Sequence, residues 1–317
     1  MRHCGGVGRV RDTAPTRLRR AGKRAPRDPA GDERTAMSEP VRSRPTQIID
    51  AHTHVWERAR PERPMPWREA YPVEALLATM DAAGVDRAVQ VTPSPEGWDN
   101  TYGLRAAARH RRRLCVFGRF DAGAPEPEAR LRTWMAEPRA VGVRLTFFGS
   151  SAAASGALLG LEPFWSACER LDVPVALFAP DNLLEAVRVL ERHPRLRLIL
   201  DHLGLGVYPG CTDPLAGLAL LEEFAAFERV RVKVSGLVEV SAEPFPFRDV
   251  HEHLADAVDR FGSHRLIWGS NHPVVRHSCS YAESLEYLYE CDFLTERDLR
   301  WLLRETIAEL LGGSAFR

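Results

Sequence analysis

Two histidines separated by one residue, His52 and His54 in Asp50-Ala51-His52-Thr53-His54, carry the clearest chemistry in this 317-residue chain. In an extended strand, side chains two apart point to the same side. Two imidazoles so placed can share one metal ion, at about 2.1 Å per nitrogen, or polarise one carbonyl. A third, His202 in Leu200-Asp201-His202-Leu203-Gly204, closes another apolar run and completes a set of three. Three imidazoles and a water would make a mononuclear centre, with zinc or manganese, that acidifies the water toward neutrality. The same set without a metal can act on a carbonyl directly, and His202 alone can be a core histidine bonded to a backbone carbonyl. Arg144 sits inside the run Val141–Phe147, where a permanent charge is costly unless paired. Its planar guanidinium suits a substrate carboxylate, the structural alternative being a salt bridge to Asp121 or Glu239. Arg119 is a weaker case of the same kind. Trp56, Trp98 and Phe148 fall in loops after apolar runs, where they can wall a pocket or simply pack the loops.

These residues need a scaffold, and the apolar runs supply one. Short unbroken runs occur at Gln47–His52, Asp86–Thr92, Leu114–Phe120, Val141–Phe147, Val173–Phe178, Leu196–His202, Arg229–Ser235 and Arg265–Gly269. They read as parallel strands buried on both faces. Amphipathic helical patterns lie between them, as in Val73–Ala83, Leu183–Arg192 and Leu218–Phe227, with Tyr281–Glu290 and Thr295–Leu311 as closing helices. Alternation alone fits an open doubly wound sheet or a closed barrel. No glycine-rich phosphate loop follows the first run, and nearly every run ends in a polar residue, as the catalytic face of a barrel does. The expected fold is an α/β (β/α)8 TIM barrel over residues 46–317.

Residues 1–45 read differently. They are rich in Arg, Gly and Pro, lack apolar periodicity and carry a formal charge of +7, leaving −7 for the remainder of a chain that is neutral overall. This segment is expected to be a disordered basic extension, with Met37 an alternative start. The acidic remainder argues against nucleic-acid or membrane partners. Six cysteines with no CxxC pair, and no apolar run near the length of a bilayer span, point to a cytoplasmic enzyme with a small-molecule substrate. Nothing in the sequence speaks to oligomeric state.

Five ordered segments, IIDAHTHVW, GVRLTF, LILDHLG, VKVSGL and RLIWGSNHP, run from residue 48 to residue 273. In these the chain resembles the amidohydrolase-related family that includes 2-pyrone-4,6-dicarboxylate lactonase and the sugar-acid lactonases. The resemblance implies a TIM barrel of the metallo-dependent hydrolase type with histidines on strands one and six, an arginine on strand four (here Arg144) holding a substrate carboxylate, and an aspartate at strand eight. At that last place this chain has Asn271 in Trp268-Gly269-Ser270-Asn271. An amide cannot take a proton from water, though it can orient one. Strand five, Val175-Ala176-Leu177-Phe178, offers no metal ligand, Arg144 or Leu145 stands where a carbamylated lysine would, and Lys233 in VKVSG reads as structural, so no binuclear centre is expected. The expected activity is opening of a lactone, or another ester or amide, of a small carboxylated or sugar-like substrate. His52, His54, His202 and Asn271 would be catalytic, with Arg144, Arg119 and His272 binding substrate. Non-oxidative decarboxylation, or a binding homologue impaired by Asn271, are the alternatives. If the site is rebuilt around the amide, His272 and His277 are the nearest groups to take the proton.

Overall fold

The computed structural model describes residues 44–149, 157–312 and 315–316. The expected extension over residues 1–45 therefore lies outside the described residues, apart from its last two. Eight strands follow one another in chain order: β1 (Ile49–Thr53), β2 (Arg87–Val91), β3 (Leu114–Arg119), β4 (Ala140–Thr146), β5 (Val175–Phe178), β6 (Leu198–Leu200), β7 (Arg231–Val234) and β8 (Leu266–Trp268). Every successive pair is parallel. Closure between the last strand and the first is made just beyond β8. Asn271 N donates to His52 O at 2.9 Å and His54 N to His272 O at 2.8 Å, and Thr53 bridges His272 in parallel. The arrangement is a (β/α)8 barrel.

Two apolar layers follow from the two faces of each strand. Ala88, Val116, Val143 and Val175 face outward into the larger core beneath the helices. These helices include α1 (Val73–Ala82), α2 (Thr101–Arg109), α3 (Pro127–Met135), α4 (Glu162–Leu171), α5 (Leu183–Arg192) and α6 (Leu221–Ala225). Ile49, Val89, Cys115, Ala176, Ile199 and Ile267 form a separate inner cluster, joined by Ile307 and Leu310 from the C-terminal helix. The closing segment runs through α9 (Glu283–Glu286), α10 (Glu296–Arg300), a wide π-type turn at Trp301–Glu305 and α11 (Thr306–Leu311). Thr295 starts α10 with a capping box, its hydroxyl accepting from Asp298 N at 3.2 Å while the Asp298 carboxylate accepts from Thr295 N. The remaining helices are α7 (Leu237–Val240), directly after β7, and α8 (His251–Phe261).

The strands are shorter than the apolar runs, and the difference matters at β6. That strand stops at Leu200, so His202 lies in a turn, Asp201–Gly204, and not on the strand as its apolar context suggests. His202 (φ 55°) and Leu203 (φ 51°) both adopt the left-handed conformation, which breaks the ladder and carries the chain across the barrel end. For non-glycine residues this costs on the order of 1–2 kcal/mol each. The expected helix Leu218–Phe227 is likewise a 3₁₀ turn at Ala216–Leu220 followed by the short α6. Among the described residues, no helix is long and apolar enough to cross a membrane.

Candidate active site

The histidine pair faces inward because β1 slips by one residue. Ile49 pairs with Arg87 and Asp50 with Ala88, but Thr53 pairs with Gln90, so three steps on β1 match two on β2. Side chains alternate along a strand, and one extra residue reverses which set points inward. Ile49 and Ala51 fill the barrel interior below the slip, and His52 and His54 take the inward places above it. Gly269 after β8 makes room: a Cβ there would stand 2.7 Å from His52 Cβ. Asp50, turned the other way, ties β1 to that same segment. Its Oδ1 accepts from His52 N at 2.9 Å and Ser270 N at 3.0 Å, and its Oδ2 accepts from Tyr281 Oη at 3.0 Å. Burial pushes the Asp50 carboxyl up to about 6, against those hydrogen bonds.

His202 joins the pair. Its ring centroid lies 4.7 Å from that of His52, which in turn is 4.9 Å from His54. Each ring is held through Nδ1. His54 Nδ1 donates to Val91 O at 2.7 Å, and His202 Nδ1 shares a 2.8 Å hydrogen bond with Ser235 Oγ. His52 Nδ1 lies 3.2 Å from Lys233 Nζ. Burial holds all three neutral at physiological pH: His54 is pushed down to about 4 and His202 to about 3. His52, buried and then disfavoured further by Lys233, lies well below the usual imidazole range.

Beneath the rings is a charged network that residue types alone did not reveal. Asp201, fully buried, pairs with Lys233 Nζ at 2.9 Å and with Arg144 Nε at 2.9 Å. Burial alone would raise its carboxyl, but Lys233 and Arg144 outweigh this and hold it well below the usual carboxylate range. Lys233, read from sequence as structural, is thus a direct neighbour of His52. The partner of Arg144 is Asp201, not Asp121 or Glu239, because the chain turns at Asp201 and brings its carboxylate under the barrel end. Phe178 at the end of β5 packs between Arg144 and the His202 ring, 5.7 Å and 5.2 Å from its centroid.

At the next position around the barrel, Arg119 sits opposite Arg144 in the β3–β4 register. Its guanidinium donates to Gly97 O at 2.9 Å and Ser94 Oγ at 3.2 Å, and stacks on Trp98 at 5.0 Å. It has no carboxylate partner among the described residues. Burial, and then the nearby Arg144, lower it to about 10. Of the three loop aromatics, Trp98 is this exposed stacking partner, Phe148 packs on Phe178 and Tyr208, and Trp56 is wholly buried against Trp67 and Tyr71. Trp56 packs the loop and does not wall the site.

After β8, Asn271 is also left-handed, with φ 57°. Its side chain donates from Nδ2 to Glu239 Oε1 at 2.7 Å. His272 is buried, its Nε2 bonded to Tyr71 Oη at 2.9 Å, and burial lowers it to about 3. His277 is exposed, with Nδ1 bonded to Val274 O at 2.6 Å, so it stands outside the cluster.

Whether the three imidazoles offer a metal three nitrogens turns on the hydrogen of His52. His52 Nδ1 has two neighbours, Lys233 Nζ at 3.2 Å and Asp201 Oδ1 at 3.7 Å. Only the lysine is within hydrogen-bond distance and it offers only hydrogens, so Nδ1 accepts and the ring proton goes to Nε2. His52 Nε2 is fully buried and without a partner, and it then presents a hydrogen and not a lone pair. Among the described residues no group of three or more His, Cys, Asp or Glu is placed to hold an ion.

Known proteins share this architecture. The chain is 30% identical over 281 residues to an L-fucono-1,5-lactonase of Burkholderia ambifaria, covering 84% of this chain and 93% of that enzyme. It is 28% identical over 243 residues to a 4-sulfomuconolactone hydrolase of Rhizobium radiobacter, covering 72% and 76%. A zinc-bound amidohydrolase of Burkholderia multivorans matches it with a TM-score of 0.71 and 25% identity, over 86% of this chain and 100% of that one. Residues 49–313, from the first residue of β1 to just past α11, match the amidohydrolase family as a whole. The chain is therefore a member of the amidohydrolase family.

Proposed function

We propose that this protein opens the lactone ring of a small acid that carries a second anionic group. One observation carries the reading: His52 Nε2, which bears the ring hydrogen while Nδ1 accepts from Lys233, is fully buried with no partner, inside a cluster of three oriented imidazoles. Leaving such a group unpaired costs about 1–3 kcal/mol, which a substrate carbonyl oxygen would relieve. The hydrogen bond would strengthen as the oxygen gains charge during water attack, which is how a pre-placed donor accelerates acyl transfer. Lys233, behind the same ring, supports that polarity. The surplus of positive charge at the strand ends, Arg119 and Arg144 against the single ion-paired carboxylate of Asp201, supports an anionic substrate. Relatives named as a fuconolactonase and a sulfomuconolactone hydrolase support the lactone class. The five cysteines among the described residues are all free, in keeping with a reducing cytoplasmic setting.

The test is a panel of neutral sugar lactones and carboxylated or sulfonated lactones, followed by acid release, with and without prior chelation. Hydrolysis favouring the anionic lactones, and unaltered by the chelator, is expected. Release of carbon dioxide from aromatic acids with no lactone opened would overturn the reading.

A further inference from the structure

Hydrolysis needs a group to take a proton from water, and most carboxylates and imidazoles of the site are already engaged. Asp50 is enclosed by His52 N, Ser270 N and Tyr281. Asp201 is flanked by Lys233 and Arg144. His54 and His202 are so depressed by burial that they are feeble bases at neutral pH. His272 is tied to Tyr71, and His277 faces solvent.

Glu239 is the exception. It lies on α7, the single helical turn directly after β7. The residues before it are built into the site: Ser235 holds the His202 ring, and a Cβ at Gly236 would stand 3.2 Å from His202 Cβ. Its Oε1 accepts from Asn271, whose backbone N is fixed to His52 O. No lysine or arginine pairs with it, and its second oxygen has no hydrogen bond among the described residues. A titratable neighbour is Cys279, in the loop after β8.

Building on the lactonase reading, we propose that Glu239 is the general base, a carboxylate moved from the end of strand eight to the helix after strand seven, with Asn271 as the positioning residue that holds it. Glu239 takes a proton from water as the water oxygen forms its bond to the lactone carbonyl carbon. The carbonyl pair moves onto oxygen, opposite the His52 Nε2 hydrogen. Collapse breaks the ring C–O bond, and the departing alkoxide receives the proton from Glu239, giving the open hydroxy acid and restoring the carboxylate. Burial pushes Glu239 up to about 7, where a base retains proton affinity yet is substantially ionised at neutral pH.

The experiment is the pH dependence of kcat/KM for the wild type, Glu239→Gln and Glu239→Ala on one accepted lactone, with thermal melts to show that each variant is folded. The wild type should lose activity on acidification through a limb near pH 7. Glu239→Gln should fall by ~10²–10⁴-fold and lose that limb, and added formate should restore part of the rate to Glu239→Ala. Adding Asn271→Asp to Glu239→Gln should return activity by placing a carboxylate at strand eight. A Glu239→Gln enzyme with wild-type rate and limb overturns the assignment. So does a slow, folded Glu239→Gln enzyme that keeps the limb, with no rescue of Glu239→Ala by formate. A wild type that opens no lactone overturns the lactonase reading and this assignment together, and is told apart because it precedes any variant.

Discussion

Lys233 carries the heaviest electrostatic duty of any single side chain in the barrel. It is fully buried, neutralises Asp201 and sets the hydrogen position on His52. Replacing it by methionine keeps the bulk but leaves the buried carboxylate with Arg144 alone. Removing one partner of a buried pair costs about 3–5 kcal/mol, and Lys233→Met should lower the urea midpoint accordingly without changing the slope. It should also reduce turnover, because His52 Nδ1 would lose the donor that fixes its tautomer. Arg119 makes the opposite case, since among the described residues it has no acid partner to strand. Arg119→Ala should leave stability nearly unchanged and raise KM about 10-fold or more for anionic lactones, in line with about 1.5–3 kcal/mol for a charged hydrogen bond. An equal rise for a neutral lactone would count against its proposed role.

At the scale of the elements, the site depends on how β1 meets the segment after β8. The one-residue slip in β1 turns the histidine pair inward, and Gly269 leaves room for it. In Gly269→Ala the new methyl would lie 2.7 Å from His52 Cβ and 3.1 Å from His52 N, and the backbone nitrogen cannot rotate away. Overpacking of this kind costs about 1–3 kcal/mol. Both a lower melting temperature and a fall in kcat larger than the stability loss explains are expected. A variant with normal kcat would show that β1 can shift without disturbing the rings.

Across the whole molecule, acid should unfold the protein through its histidines. His52, His54, His202 and His272 have folded values below 6.5, two of them about 3 and one about 4. The unfolded chain therefore binds more protons below about pH 6.5, so their contribution is complete above that value and is lost as pH falls toward the folded values. Asp50 at about 6 and Glu239 at about 7 oppose this. Protonated more readily when folded, they favour the fold at low pH and lose that contribution as pH rises through their folded values. Four groups against two leave a net loss on acidification from pH 6.5 to 4, of about 1.4 kcal/mol per pH unit for each net proton. Melting temperature measured across that window should fall, and a flat or rising profile would contradict the buried, neutral assignment. At the other end of the chain, packing is already in place at Arg44, which bonds Ala83 O and Glu286. We propose that residues 1–36 contribute nothing to the barrel, so their deletion should leave melting temperature and activity unchanged.

The sequence by itself determined the eight-strand count, the barrel and the trio of His52, His54 and His202. Strand burial and the chemistry of strand ends are local properties, written in short runs of residues. It could not determine pairing across the barrel. Asp201 with Arg144 and Lys233, and Glu239 with Asn271, join residues 32 to 57 positions apart on different strands and loops. No periodicity encodes such contacts, and Glu239 lies in a segment, Leu237–Val240, whose pattern is simply that of a helical turn. The alternation of the HxH pair does point both histidines into the barrel mouth, but it does not show the register slip that turns them there, which only the neighbouring strand defines. The tertiary structure decided these because charge, burial and register are relations between segments, and the segments meet only when the barrel closes.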